Sequence, residues 1–428
     1  MKRPLGVVAL LLSLLLISVA TAPGLAPAQG LPIAKPEEVG LSSQRLARAT
    51  EIVKGEIAKG RYPGVVALVA RRGKVVYFEA LGQRDPQSGT PMTKDAIFRL
   101  YSMTKPFTSV AMMMLVEDGK VLLNDPVSRH LPALKGLQVS VAQVDAQSGK
   151  VSYALVPAER EMTIQDVLRH TSGLVYDTTS HSGVQAAYLK AGVTWKDVTP
   201  AEQIERLARV PLAHQPGSAW EYSISTDVTG RVIEAITGGT LGQFFQERIF
   251  APLSMTDTGF LVPAAKVGRL AQPFAKDPVT GEPVALLDVT VRQKNDAGGA
   301  GTAGTVADYA RFSQMLLNGG HLGGTRLLGR ATVAQMTADH LGDIPSASPI
   351  LARGYGFGLG VAVRKETGLH WVTGSAGEYR WAGAAGTSFW VDPKEQMVVV
   401  WMTQGLPGQR RAEDRDLFRQ LVQAALVD

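Results

Sequence analysis

The chain is organised around the segment Phe98-Arg99-Leu100-Tyr101-Ser102-Met103-Thr104-Lys105, which continues as Pro106-Phe107-Thr108-Ser109-Val110-Ala111-Met112-Met113-Met114-Leu115. An apolar run from Ala96 to Tyr101 predicts a strand, and the pattern from Ser102 to Asp118 predicts an amphipathic helix. Lys105 lies three residues after Ser102, so a helical turn places both side chains on one face. No other serine in the sequence has a lysine three residues further on.

This spacing suits a nucleophilic serine. A serine hydroxyl needs a neighbouring base to take its proton, and a half-buried lysine amine can serve as that base. In the first turn of a helix the hydroxyl also lies near free backbone N–H groups, which stabilise developing negative charge. The alternative is that Ser102 is an ordinary N-cap and Lys105 a solvated helix residue. The remaining motifs have to decide between the two.

Composition limits the classes of function. The 428 residues are 45% hydrophobic and 19% charged, which is enough for a large core and predicts two or three structural units. The net charge of +6 is spread among acidic residues, so neither nucleic-acid nor membrane binding is expected. With no cysteine in the chain, disulfides and a lipoprotein anchor are excluded.

Residues 1–28 have the pattern of a secretory signal peptide. Lys2-Arg3 precedes an apolar run from Leu5 to Ala20, and Ala26-Pro27-Ala28 is a small-x-small cleavage site. The alternative is an uncleaved anchor, but the apolar run is short for a spanning helix. We therefore expect an exported protein, periplasmic or secreted, with no stable membrane anchor after cleavage.

The periodicity predicts an α+β fold in residues 29–428. Predicted strands cover 64–70, 74–80, 354–363, 370–372, 387–391 and 397–402, with an inserted hairpin at 139–156. The main predicted helices cover 42–60, 102–118, 163–170, 200–209, 225–237, 241–250, 305–318 and 411–426. Strands at both ends predict one mostly antiparallel sheet flanked by helices (about 35–110 and 305–428), with a mainly helical region (about 111–304) inserted in the middle.

Several common site motifs are missing or out of context. The stretch 299–304 matches G-x-G-x-x-G but follows no buried strand, so we interpret it as a backbone turn beside the site rather than a nucleotide site. The histidines show no metal-binding spacing, so no metal and no cofactor is expected. The sequence also lacks a G-x-S-x-G elbow, which argues against a Ser-His-Asp hydrolase.

Two later segments complete a candidate site. Tyr222, between a Pro-Gly turn and a predicted helix, could share its proton with a nearby lysine, although this segment taken alone favours a core or rim tyrosine with a hydrogen-bonded hydroxyl. Trp381-Ala382-Gly383-Ala384 precedes a strand, and its small residues would let a substrate lie against the strand edge. A backbone N–H in that segment could pair with that of Ser102 as an oxyanion hole.

Together these segments make the chain resemble the serine β-lactamase-like superfamily related to class C β-lactamases, and most closely the family VIII carboxylesterases. Ser102-Met103-Thr104-Lys105 matches S-x-x-K, Tyr222-Ser223-Ile224 matches Y-x-x, and Trp381-Ala382-Gly383 matches W-x-G. His170-Thr171-Ser172-Gly173-Leu174 resembles the H-T-S-G-L segment of this group. The resemblance implies a β-lactamase/transpeptidase-like fold.

The resemblance also implies roles. Ser102 would be acylated, Lys105 and Tyr222 would share the acid–base work, and the N–H groups of Ser102 and Ala384 would form the oxyanion hole. Which of Lys105 and Tyr222 takes the proton stays open.

Two departures from the lactamase pattern bear on the substrate. Ile224 replaces an asparagine and Trp381 replaces a lysine. Together with Gly383, these two residues are expected to bind the substrate. We therefore expect an esterase for small or medium acyl chains, acting on a small-molecule substrate. The alternatives are a β-lactamase or D-alanyl-D-alanine carboxypeptidase-like enzyme, and a non-catalytic binding protein. The oligomeric state cannot be read from the sequence.

Overall fold

The computed structural model describes residues 1, 30–177, 183–193, 197–405 and 411–428. The predicted signal peptide, apart from Met1, lies outside the described residues. Residues 31–428 form one compact unit, and its division into sheet and helical parts at the boundaries given above stays a prediction. Within the described part of the chain, no helix has the length and apolar character needed to cross a membrane.

The strands are β1 (Gly64–Arg71), β2 (Lys74–Asp85), β3 (Thr90–Pro91), β4 (Phe98–Arg99), β5 (Gln138–Val144), β6 (Val151–Pro157), β7 (Ala303–Gly304), β8 (His321–Leu322), β9 (Thr325–Arg326), β10 (Tyr355–Phe357), β11 (Ala362–Arg364), β12 (Tyr379–Ala382), β13 (Ser388–Asp392) and β14 (Met397–Thr403). The α-helices are α1 (Ser43–Ala58), α2 (Lys105–Glu117), α3 (Ile164–Leu168), α4 (Gln185–Ala191), α5 (Pro200–Leu207), α6 (Ser225–Thr237), α7 (Leu241–Phe245), α8 (Val306–Leu317), α9 (Arg330–Met336) and α10 (Arg411–Gln423). Short 3₁₀ helices include Pro36–Val39 and Tyr101–Thr104, and a π-helical turn covers Gln246–Phe250.

The main sheet has eight antiparallel strands in the order β10-β11-β12-β13-β14-β1-β2-β3, so strands from both chain ends meet where β14 pairs with β1. The predicted α+β fold is therefore confirmed. All eight residues of β1 are buried because both faces of the sheet are covered. Its alternate residues enter two cores: Val65, Ala67 and Val69 face α1 and α10, whereas Val66, Leu68 and Ala70 face the larger core.

The larger core holds the predicted nucleophile helix. Phe107 on α2 packs against Phe245, Phe250, Tyr309 and Phe312, with ring centroids 4.6–6.3 Å apart. Every residue from Lys105 to Leu115 is buried. The helix that begins next to Ser102 is thus fixed on all sides, and the position of its first turn is set by the packing of the whole core.

Three details differ from the sequence-based prediction. The segment 354–363 is not one strand: β10 and β11 form a hairpin whose turn includes Gly360, at φ +98°. Residues 370–372 form no strand, because His370 and Trp371 lie in a loop where their rings stack. Trp381, expected just before a strand, lies inside β12. The hairpin of β5 and β6 is confirmed.

Candidate active site

Ser102 lies at a strained junction between a strand and a helix. β4 pairs with β7, and after it Tyr101 adopts φ +47°, a left-handed conformation that is costly for a non-glycine residue. The Tyr101 hydroxyl accepts a hydrogen bond from the backbone N–H of Leu287 at 2.8 Å. The 3₁₀ turn 101–104 then leads into α2. Such strain, held in place by its surroundings, is typical of functional sites.

The structure brings together the three residues for which the sequence predicts catalytic roles. The Tyr222 hydroxyl donates a hydrogen bond to Ser102 Oγ at 2.7 Å, and Lys105 Nζ donates to the same atom at 3.4 Å. Lys105 is fully buried and Tyr222 is 7% exposed. The amine also lies 4.8 Å from the centre of the Tyr222 ring. One hydroxyl oxygen is therefore in contact with both candidate acid–base groups.

The remaining donors of Lys105 are also satisfied. Lys105 Nζ donates to the Gly299 carbonyl at 2.7 Å and to the Tyr176 hydroxyl at 3.0 Å. Gly299 opens the G-x-G-x-x-G stretch, which begins in a turn beside the site as interpreted, but its last two residues form β7 instead of continuing the turn. With three partners for its three donors, the amine is held in one place.

Asp227 is a buried carboxylate that the sequence analysis did not single out. Its Oδ1 accepts a hydrogen bond from the Gly299 N–H at 3.2 Å, so the Gly299 peptide links Asp227 to Lys105. Burial raises the pKa of Asp227, and the nearby Lys105 charge opposes that rise. Burial, together with Asp227 and Tyr222, also raises the pKa of Tyr176 well above its usual value, which keeps that phenol protonated.

The H-T-S-G-L segment supports Tyr222 from behind. The His170 ring packs against the Tyr222 ring with centroids 5.0 Å apart, and its Nδ1 lies 3.1 Å from Ser223 Oγ. Burial lowers the pKa of His170 well below its usual value, and the positive charge of Lys105 lowers it further. His170 is thus a neutral ring that positions the tyrosine loop. Ser172 Oγ, 2.7 Å from Ser225 Oγ, ties the same two segments together.

The W-x-G segment packs directly on the loop that carries Ser102. A Cβ atom at Gly383 would lie 2.2 Å from the Leu100 carbonyl oxygen, so only glycine permits this approach. Thr387 Oγ1 donates to the same carbonyl at 3.2 Å. Trp381, 8% exposed, lies 5.3 Å from Tyr222 and 5.3 Å from Phe357 between ring centroids.

A cavity of about 340 Å³ opens beside Ser102. Its lining includes Ser102, Tyr222, Trp381, Gly383 and Ala384. Ile224 is not in this lining: it is 1% exposed and precedes α6 in the core, so its predicted part in binding would have to be indirect. Across the described ranges, no group of three or more His, Asp or Glu side chains is placed to hold a metal ion.

Comparison with known proteins agrees with this geometry. The family model described as Beta-lactamase matches residues 49–424. Esterase EstB of Burkholderia gladioli is 30% identical over 398 residues, which span 86% of this chain and 94% of EstB. Lovastatin esterase of Penicillium rubens is 30% identical over 386 residues, 83% of this chain and 92% of that protein.

A solved structure gives the same result. EstCE1, described as a hydrolase with promiscuous acyltransferase activity, superposes with a TM-score of 0.71 at 28% identity, covering 89% of this chain and 98% of EstCE1. The resemblance inferred from the motifs is therefore confirmed. The chain belongs to the Beta-lactamase family and is a serine hydrolase related to the esterases of that family.

Proposed function

We propose that this enzyme hydrolyses carboxylic esters of small or medium acyl chains through an acyl-enzyme on Ser102. The observation that carries the proposal is the contact of Ser102 Oγ with both Tyr222 and Lys105 at the wall of an open cavity. A serine held by two groups that can exchange protons is equipped for nucleophilic attack. The esterase names of EstB and lovastatin esterase favour the same chemistry.

In the proposed first step, the Lys105–Tyr222 pair takes the Ser102 proton as Oγ forms a bond to the ester carbonyl carbon. The N–H groups of Ser102 and Ala384 would stabilise the oxyanion. As the intermediate collapses, the bond to the alkoxy oxygen breaks and the pair returns a proton to the leaving alcohol. Water then attacks the acyl-enzyme in the same way and releases the carboxylic acid, which restores Ser102.

The walls of the cavity favour an ester over a lactam. Trp381 presents an aromatic face beside Tyr222 where lactamases of class C carry a lysine. Ile224, buried behind the cavity, replaces their asparagine and leaves no side-chain amide there. An ester requires neither polar contact, because its acyl group can bind by apolar packing.

The test compares hydrolysis of p-nitrophenyl butyrate with that of a chromogenic cephalosporin. We expect the ester to be the faster substrate, and Ser102→Ala to lower its kcat by on the order of 10³-fold or more while the circular dichroism spectrum is kept. Ser109→Ala is the matched control. It removes a buried hydroxyl from α2, the helix that follows Ser102, and among the described residues Ser109 Oγ contacts no polar partner. Ser102→Ala with most of its activity, or no acyl adduct by mass spectrometry, would refute the assignment. Dominant cephalosporin turnover would favour a lactamase or peptidase instead.

The proposal includes location. The pattern of residues 1–28 would direct the enzyme to the periplasm or the medium, where its small-molecule substrates would be met. N-terminal sequencing of the protein from a bacterial host tests this, with Gln29 as the expected first residue.

A further inference from the structure

The cavity beside Ser102 has a second wall made of arginines. Arg380, Arg415 and Arg419 line it together with Ser102 and Trp381. Arg380 directly precedes Trp381 in β12, so the two side chains point to opposite faces of the sheet. Trp381 faces Tyr222, whereas Arg380 pairs across the sheet with Trp390, on the face covered by α10.

One cavity can reach both faces because the sheet is open there. Among the described residues, the ladder between β11 and β12 ends at the Ala362–Arg380 pair. Beyond it the edge of β12 is free to border a cavity, and Ala382, Gly383 and Ala384 continue the lining toward Ser102. The distance from Arg380 to Gly383 is about 10 Å along the strand, from ~3.3 Å per residue.

The charges around this wall do not balance. Within the described part of the chain, ion pairs join three arginines, Arg364, Arg380 and Arg419, to two carboxylates, Glu378 and Asp416. Glu378, fully buried, is shared by Arg364 at 3.3 Å and by Arg419, and it also accepts a hydrogen bond from the Tyr355 hydroxyl. Asp416 lies 3.9 Å from Arg380 and accepts a hydrogen bond from Trp371 Nε1 at 2.8 Å.

The lowered pKa of the neighbouring His370 is consistent with positive charge along this side of the cavity. Burial lowers the pKa of His370 to about 4, and Arg380 is the next largest cause, with Arg364 and Arg419 adding to it and Asp416 opposing it. His370 is therefore neutral at pH 7 and adds no charge to the wall. Arg380 itself lines the cavity and keeps 27% of its side chain exposed, while its guanidinium carbon lies 4.4 Å from the centre of the Tyr355 ring.

We propose that the substrate is an ester that carries an anionic group, such as a carboxylate, bound against Arg380 while the scissile carbonyl lies at Ser102. This inference rests on the proposed esterase function and names its substrate class. A guanidinium binds a carboxylate through two parallel charge-assisted hydrogen bonds, which are strong in a partly buried site. Trp381 occupies the position where lactamases of class C carry a positively charged lysine. In this chain Arg380 supplies a positive charge from the other face of the same strand.

The experiment uses two pairs of esters with the same reacting bond. Mono-p-nitrophenyl glutarate is compared with p-nitrophenyl butyrate, which places the anion on the acyl side. The butyrate ester of 4-hydroxybenzoate is compared with phenyl butyrate, which places it on the alcohol side. We expect kcat/KM for the anionic member of one pair to exceed that of its neutral partner about tenfold or more, mainly through a lower KM. The pair that shows this preference identifies the side that carries the anion.

Variants with opposite expected effects separate binding from structural damage. Arg380→Gln should reduce the anionic-to-neutral ratio of kcat/KM about tenfold, and Arg380→Lys should restore part of it. Asp416→Asn removes the opposing negative charge and should raise the ratio. Arg48→Gln, at an exposed position on α1, changes net charge equally and should leave the ratio unchanged. The proposal would be overturned if Arg380→Gln lowered kcat/KM equally for the anionic and the neutral ester and Asp416→Asn lowered the ratio of the two.

The outcomes distinguish failure of this inference from failure of the proposed function. If the anionic-to-neutral ratio of kcat/KM is near one in both pairs while the neutral esters are hydrolysed in a Ser102-dependent way, the anion site is refuted and the proposed esterase function is retained. If no ester is hydrolysed, the esterase proposal fails, and calorimetric titration of Ser102→Ala still tests the site. Monoethyl glutarate should then bind about tenfold more tightly than ethyl butyrate and lose that advantage in the Arg380→Gln background. Equal binding of the two would refute the site.

Discussion

At the scale of single residues, the proposed reaction depends on two neighbours of Ser102 that act on one proton. Tyr222 donates to Ser102 Oγ at 2.7 Å, and the Lys105 amine lies 4.8 Å from the centre of the Tyr222 ring. Both side chains reach the same hydroxyl oxygen, so geometry alone assigns neither of them as the base. Their dependence on each other can still be measured.

We predict that Lys105→Ala and Tyr222→Phe each lower kcat for p-nitrophenyl butyrate by on the order of 10³-fold. Because the two groups act as one unit, the double variant should lose about as much as either single variant, not the product of the two losses. Tyr153→Phe, at a side chain 57% exposed on β6, is the control and should retain activity. Losses that multiply would mean that the two residues act in separate steps.

The sequence identifies residues whose role is encoded in short spacings and misses those brought in by the fold. Ser102, Lys105 and Tyr222 each lie in a recognisable motif, and the structure places them in contact. Asp227 follows Tyr222 by five residues, but an acid in the first turn of α6 is indistinguishable in sequence from an ordinary helix-start residue. Arg380 carries no sequence signal for a similar reason, because part of its environment is supplied by Asp416 on α10, a separate element of the fold.

At the scale of elements, the main error concerns the glycines at 354, 356, 358 and 360. The sequence predicts a single strand from 354 to 363, but the chain turns there, so that β10 and β11 form a hairpin. A Cβ atom at Gly360 would lie 2.1 Å from Ser109 Oγ on α2. The glycine is thus needed both for contact with the helix that follows Ser102 and for its left-handed φ, and the φ in particular is not visible in a local pattern.

We predict that Gly360→Ala lowers the free energy of unfolding by about 2–4 kcal/mol, from the positive φ and from overpacking against Ser109. Gly268→Ala is the matched control: it is exposed, and no atom lies within 4 Å of the added methyl group. It should change the free energy of unfolding by less than about 1 kcal/mol. Urea unfolding followed by fluorescence measures both. Similar values for the two variants would show that the contact with α2 is not tight.

At the scale of the whole molecule, the buried pattern of β1 and β14 is strong enough to predict a sheet assembled from both chain ends. Continuous apolar runs rich in β-branched residues, such as Val398–Trp401, favour a central strand that is covered on both faces. The pattern does not predict which contacts hold the two terminal segments to the sheet, because these are polar contacts between residues distant in sequence. Arg71, at the end of β1, is the clearest such contact.

Arg71 is 4% exposed and joins four segments. Its guanidinium donates to the Val39 carbonyl at 2.7 Å and to two side-chain carboxylates, that of Glu395 at 2.9 Å and that of Asp428 at 2.6 Å. The lead-in segment, β1, the turn before β14 and the C-terminus therefore converge on one side chain. Arg72 next to it is 47% exposed on its side chain and pairs with Asp428.

We predict that Arg71→Met lowers the free energy of unfolding by about 2–4 kcal/mol, because it leaves backbone carbonyls and two carboxylates without their shared donor. Arg72→Met removes an exposed ion pair and should cost less than about 1 kcal/mol. Urea midpoints at pH 7, compared at unchanged m-values, measure the difference. Equal losses in the two variants would mean that the converging contacts add no more than a surface pair. A larger loss of unfolding free energy for Arg71→Met would instead show that Arg71 holds the converging segments together. Arg72 pairs with the same residue, Asp428, but does so at the surface.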